Sequence, residues 1–247
     1  MSFTDALRSE WLKIRSMRSL VLTLGVTLLV TAGFSALMSA SLGPEETARP
    51  DFDPLWAGYF GLNFGQIAAV CFGALAVAGE YRGGAIRVSL AAVPRRGRFY
   101  AAKLTAIAVP VFAVGLVAGA VCVLAGAPLP AGEGGGGRVG LGGPGALRSV
   151  LGCGLYLALV ALLAAGLATL LRGASAVLGL LTPLLLVVPF VLKGDGPVEF
   201  LPDRAGRQIL FQDPVGVLGP WTGPAVLSLW VAAALWAGWE ALRRRDA

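Results

Sequence analysis

Histidine is absent from this sequence and cysteine is scarce, with three residues in 247. The first absence removes the commonest metal ligand and the commonest general base. Cys71, Cys122 and Cys153 stand far apart, each inside a long apolar run, so they are expected to pack as small residues, with no disulfide and no metal site. Charge is short as well: 14% of the residues are Asp, Glu, Lys or Arg, against roughly 25% in soluble domains. A Walker A sequence, an HExxH, a GxSxG and a paired-cysteine motif are all missing. The chain therefore has no ATP site of its own, no recognisable catalytic constellation and no expected cofactor.

What fills the sequence instead is apolar, 56% of it, with a mean hydropathy of +0.76. A soluble core of this size would lack the polar surface to cover it. The charged residues leave six charge-free runs of 26, 26, 29, 23, 20 and 26 residues, and about 20 suffice to cross a bilayer as a helix. These predict an all-α polytopic membrane protein, a single transmembrane domain over 1–247. Its six transmembrane helices are expected at about 19–42, 56–79, 104–127, 149–171, 174–192 and 220–240. With the amino terminus inside, 14 of the 20 Lys and Arg residues fall on the cytoplasmic side, which sums to +9 against −3 outside. That asymmetry puts both termini in the cytoplasm and accounts for the basic balance without nucleic acid.

Residues 2–18 place Phe3, Leu7, Trp11 and Ile14 on one helical stripe with the cations elsewhere, as an amphipathic interfacial helix does. The apolar run after it is too long for a cleaved signal. In the first span Thr23, Thr27, Thr31, Ser35 and Ser39 recur every four residues, a ridge suited either to close helix packing or to the wall of a path, with Thr27 and Thr31 as path candidates. Asn63 and Gln66 share a face of the second span, where amides either cross-link helices or line a cavity. Pro183 and Pro189 interrupt the fifth span, so a kink or break is expected inside the bundle. No acid or base lies in the middle of any span. Between the last two spans, Pro202 suits the start of a short external helix or re-entrant element.

One basic island, residues 79–103, holds Arg82, Arg87, Arg95, Arg96, Arg98 and Lys103 between the second and third spans. It reads Gly79-Glu80-Tyr81-Arg82, then Gly83-Gly84-Ala85-Ile86-Arg87-Val88-Ser89-Leu90, then Ala91-Ala92-Val93-Pro94-Arg95-Arg96-Gly97-Arg98, and ends Ala101-Ala102-Lys103. This resembles the GEYxxGxIRxxLAAVPRRGR...AAK pattern of ABC-2 type permeases, the membrane subunits of bacterial ABC exporters. The similarity runs on through the SEWxKxRSxRS start, the LPxxAGxxI segment and the arginine-rich end.

The resemblance implies a permease subunit in the inner (cytoplasmic) membrane, coupled through loop 80–103 to a separate ATPase. Gly83 to Leu90, with Gly84, Ile86 and Arg87 among them, would be the coupling helix seated on that ATPase. Glu80 and Tyr81 would mark the hinge and Pro94 the turn, while Arg82, Arg95, Arg96 and Arg98 would touch the ATPase or lipid headgroups. Two permease copies and two ATPases would form the working unit, with the first, second and fifth spans facing the path, and Asn63, Gln66 and Pro183 on it. The alternative from another class is a non-transporting membrane scaffold, regulatory or immunity protein. An intramembrane enzyme would need a catalytic residue that the chain does not display.

Overall fold

A computed structural model describes residues 2–47, 49, 52–81, 84–86, 89, 95–125, 141–143, 145–192, 196–212 and 216–245. All regular structure among them is helical. In chain order the helices are α1 (Phe3–Ser16), α2 (Arg18–Ser41), α3 (Pro44–Thr47), α4 (Pro54–Gly58), α5 (Leu62–Tyr81), α6 (Arg96–Ala125) and α7 (Ala146–Leu171). They are followed by α8 (Ala174–Thr182), a π-helical turn (Pro183–Val187), α9 (Val188–Val191), α10 (Pro202–Arg207) and α11 (Thr222–Arg245).

Five of these, α2, α5, α6, α7 and α11, are long and apolar enough to cross a membrane. Six such spans were expected, and the missing one is 174–192, which is helical but interrupted. The cause is the pair of prolines. Neither Pro183 nor Pro189 has an N–H to give, so the register slips from i−4 to i−5 and Val188 N–H donates to the Pro183 carbonyl. The segment at Pro202 forms the expected short helix, with Pro202 in its first turn.

Helix ends differ from the charge-free runs for local reasons. The second span starts at Leu62 because Pro54 opens a separate short helix and residues 59–61 turn. The third starts at Arg96, well before the last cation, since arginine is a good helix former. At the amino terminus, a capping box between Ser2 and Asp5 starts α1, and extended Met17 separates it from α2.

The most enclosed helix is α7, packed between α5, α6 and α11. Small residues let the backbones close up there. A Cβ on Gly73 of α5 would sit 2.1 Å from the Ala161 carbonyl of α7, so no other residue fits. By contrast α2 covers one side of the bundle only and shows Leu22, Leu29 and Leu37 outward. Its threonine and serine ridge faces inward, buried against α5.

Candidate functional site

The two ends of the basic loop meet the amino-terminal helix in a buried ionic cluster. Glu10 and Lys13 come from adjacent turns of α1, Glu80 from the last turn of α5, and Lys103 from the third turn of α6. Lys103 Nζ lies 2.6 Å from Glu10 Oε2 and 2.8 Å from Glu80 Oε1, and Lys13 Nζ lies 2.8 Å from an oxygen of each carboxylate. Ser89 Oγ donates to Glu80 Oε2 at 2.8 Å. Glu10, Glu80 and Lys103 are all buried, at 4 to 6% exposed, and the four charges cancel, which is the condition under which such groups tolerate burial. Burial alone would pull the Lys13 pKa down, but Glu10 and Glu80 outweigh it and hold the ammonium above its usual value.

That protonation state bears on chemistry. Lys13 Nζ is 3.3 Å from Ser89 Oγ, the outline of a serine–lysine nucleophile pair. Yet the amine is held charged, and the serine proton points to Glu80, so the lysine has no lone pair with which to activate the hydroxyl. The ion pairs join α1, α5 and α6. A cavity of about 390 Å³ adjoins it, with Ile14, Met17, Leu20 and Ile107 as its apolar wall.

Other residues of the island are placed as follows. The Tyr81 hydroxyl donates to the Thr169 carbonyl at 3.3 Å, and Arg172 lies over its ring. Gly84 adopts a left-handed φ of +74°, and Ile86 is buried. Arg95 and Arg98 are exposed. Arg96 turns inward and caps α11, donating to the Leu242 and Arg243 carbonyls at 3.0 and 2.9 Å. Arg82, Gly83, Arg87, Leu90 and Pro94 lie outside the described residues.

A second polar centre forms at the other end of the bundle, where the interrupted helix leaves room. Arg207 and Asp203 pair across one turn of α10 at 2.8 Å, with Asp203 buried and the Arg207 side chain 13% exposed. Burial would lower the Arg207 pKa, but the Asp203 carboxylate outweighs it and keeps the guanidinium above its ordinary value. The Tyr156 hydroxyl of α7 donates to Asp203 Oδ1 at 2.7 Å, and Arg207 Nη1 donates to Asn63 Oδ1 at 2.7 Å. With its nitrogen toward Tyr156 and Asp203 (3.0 Å from the carboxylate), the Gln66 amide accepts from Arg207 at 2.9 Å. Turned over, it reaches the Leu185 carbonyl at 3.3 Å, the group left free by Pro189. The first arrangement has the shorter bonds and gives the carboxylate a donor. Arg204 satisfies two further carbonyls at the end of the break, Pro189 at 3.0 Å and Leu192 at 2.7 Å.

Asn63 and Gln66 thus meet on one site, and Asn63 also lines a cavity of about 640 Å³ with Phe60, Phe64, Leu186, Pro189 and Arg207. Pro183 acts at a distance, as the start of the π turn. Thr27 and Thr31 border neither cavity. Their hydroxyls return to the Thr23 and Thr27 carbonyls of α2 at 2.8 and 2.6 Å, and a Cβ on Gly65 would stand 1.8 Å from Thr31 Oγ1.

Sequence reasoning missed Glu10, Lys13, Lys103, Tyr156, Asp203 and Arg207. It found no ionisable group in the middle of a span. The structure supplies one from outside the spans, because α10 folds back against Tyr156, about 15 Å into a helix about 39 Å long. The available signal was the Asp203–Arg207 spacing of four just after a helix-starting proline. Among the described residues no group of three or more His, Cys, Asp or Glu could hold a metal ion, and the three cysteines are free. No family model matches the chain, and no curated protein matches it.

Proposed function

We propose that this chain is the permease subunit of an ATP-driven exporter of the ABC-2 type, with six membrane passages, both termini in the cytoplasm, and a place in the inner membrane. Five continuous helices make five passages, and the proline-broken segment 174–191 makes the sixth. Two copies form the translocation path, and a separate ATPase pair engages loop 80–103. The reading is supported most by one observation: the ionic cluster joins both ends of that loop and the amino-terminal helix into one unit. A push on the loop is then carried to α5, α6 and α1 together, as a rigid-body transition requires.

The polar centre beside the broken helix fits the same reading, because a hydrated or ligand-lined space is where broken helices persist in a bilayer. Co-expression of the tagged chain with a soluble Walker-motif ATPase encoded beside it tests the proposal. The expected outcome is a detergent-stable complex of two permease and two ATPase chains. Recovery of the permease without any ATPase would count against it.

A further inference from the structure

The 640 Å³ cavity contains a carboxylate that the polar centre does not use. Glu199, in the 3-10 turn Pro197–Phe200, is 5% exposed and lines the cavity wall. Its Oε2 accepts the Val217 N–H at 2.8 Å, and no lysine or arginine among the described residues forms an ion pair with it. Gly216 brings the chain over it with φ +96°, where a Cβ would stand 2.6 Å from the carboxylate. Two arginines share the same wall, and the contacts of both run to groups other than Glu199. Arg207 is neutralised by Asp203 and bonded to Asn63, and Arg204 donates to the Pro189 and Leu192 carbonyls. Facing these groups are Phe60, Phe64 and Phe211.

A buried charge ordinarily has a counter-charge. One held beside an aromatic-walled space of ligand size is preset for a cation whose body is apolar. We infer that this cavity binds lipophilic cations, hydrophobic amines or onium ions, with Glu199 facing the charge and the phenylalanines taking the body. As a statement about cargo this rests on the exporter reading; as a statement about binding it does not.

The test uses the purified full-length chain in detergent and two probes of nearly equal shape and opposite charge, radiolabelled tetraphenylphosphonium and tetraphenylborate, in equilibrium dialysis against protein-free micelles. The phosphonium should bind saturably and at least ten-fold more tightly than the borate. Glu199→Gln keeps an acceptor for the Val217 N–H and should weaken the phosphonium at least ten-fold without weakening the borate, whereas Phe64→Ala should weaken both. Equal binding of the two ions, or an unchanged phosphonium affinity in Glu199→Gln, overturns the inference. If the variant does not fold, the two probes on the unaltered chain decide the matter alone. Neither result depends on an ATPase, so loss of binding and loss of coupling are separate failures.

Discussion

Lys103 is the buried lysine of the ionic cluster. It bridges Glu10 and Glu80 at 2.6 and 2.8 Å. Lys103→Met leaves two buried carboxylates to share the half-exposed Lys13, so a loss of about 3–5 kcal/mol is expected from breaking the buried pair. Because Glu80 shares the bond, combining Lys103→Met with Glu80→Gln should cost less than the sum of the two single changes, by about 1 kcal/mol or more. Thermal unfolding of the four proteins in detergent, followed by tryptophan fluorescence, measures this. Additivity within about 0.5 kcal/mol would mean that the residues are adjacent without being coupled. None of this was legible beforehand. Lys13 and Glu80 are 67 positions apart, and no periodicity connects an acid on one helix to a lysine on another.

At the scale of elements, the broken helix decides the shape of the polar centre. Pro183→Ala with Pro189→Ala returns two N–H groups and should convert 174–191 into a continuous α-helix, which closes the π turn and gives the Leu185 carbonyl an intrahelical donor. Hydrogen exchange of the amides between Leu184 and Val191 should then slow at least ten-fold. Unchanged exchange would show that packing, rather than proline, imposes the break.

The elements themselves were largely legible. Runs free of charge located every long helix, and the prolines marked the interruption. Boundaries were less so, since a helix does not end where its charges begin. Arg96 to Lys103 continue α6 beyond the apolar run, and Arg96 is held there by carbonyls at the end of α11. The inward fold of α10 was hidden because its anchors, Tyr156 and Gln66, are single polar residues in otherwise apolar helices. The stripe of α1 divides between two surroundings, with Ile14 packed into the bundle. Ala6, Glu10 and Ile14 face the bundle, while Phe3 and Trp11 of the expected stripe remain exposed, as suits a helix seated on a lipid interface.

For the whole molecule, the alternation of helices sets loop 80–103 and residues 196–218 at opposite ends. The proposed function requires the first of these to be cytoplasmic. In a cysteine-free background, Val217→Cys should react with a membrane-impermeant maleimide on intact cells, and Arg95→Cys only after permeabilisation. The reverse pattern would invert the topology and remove the loop from any cytoplasmic ATPase.

The central claim is that this loop passes force between an ATPase and the bundle. It is tested most directly by ATP hydrolysis in a reconstituted permease–ATPase complex carrying Arg95→Glu, an exposed position outside the ionic cluster. The account predicts an unchanged melting temperature for the permease and at least a ten-fold loss of permease-stimulated hydrolysis. Full stimulation in the charge-reversed complex would contradict it.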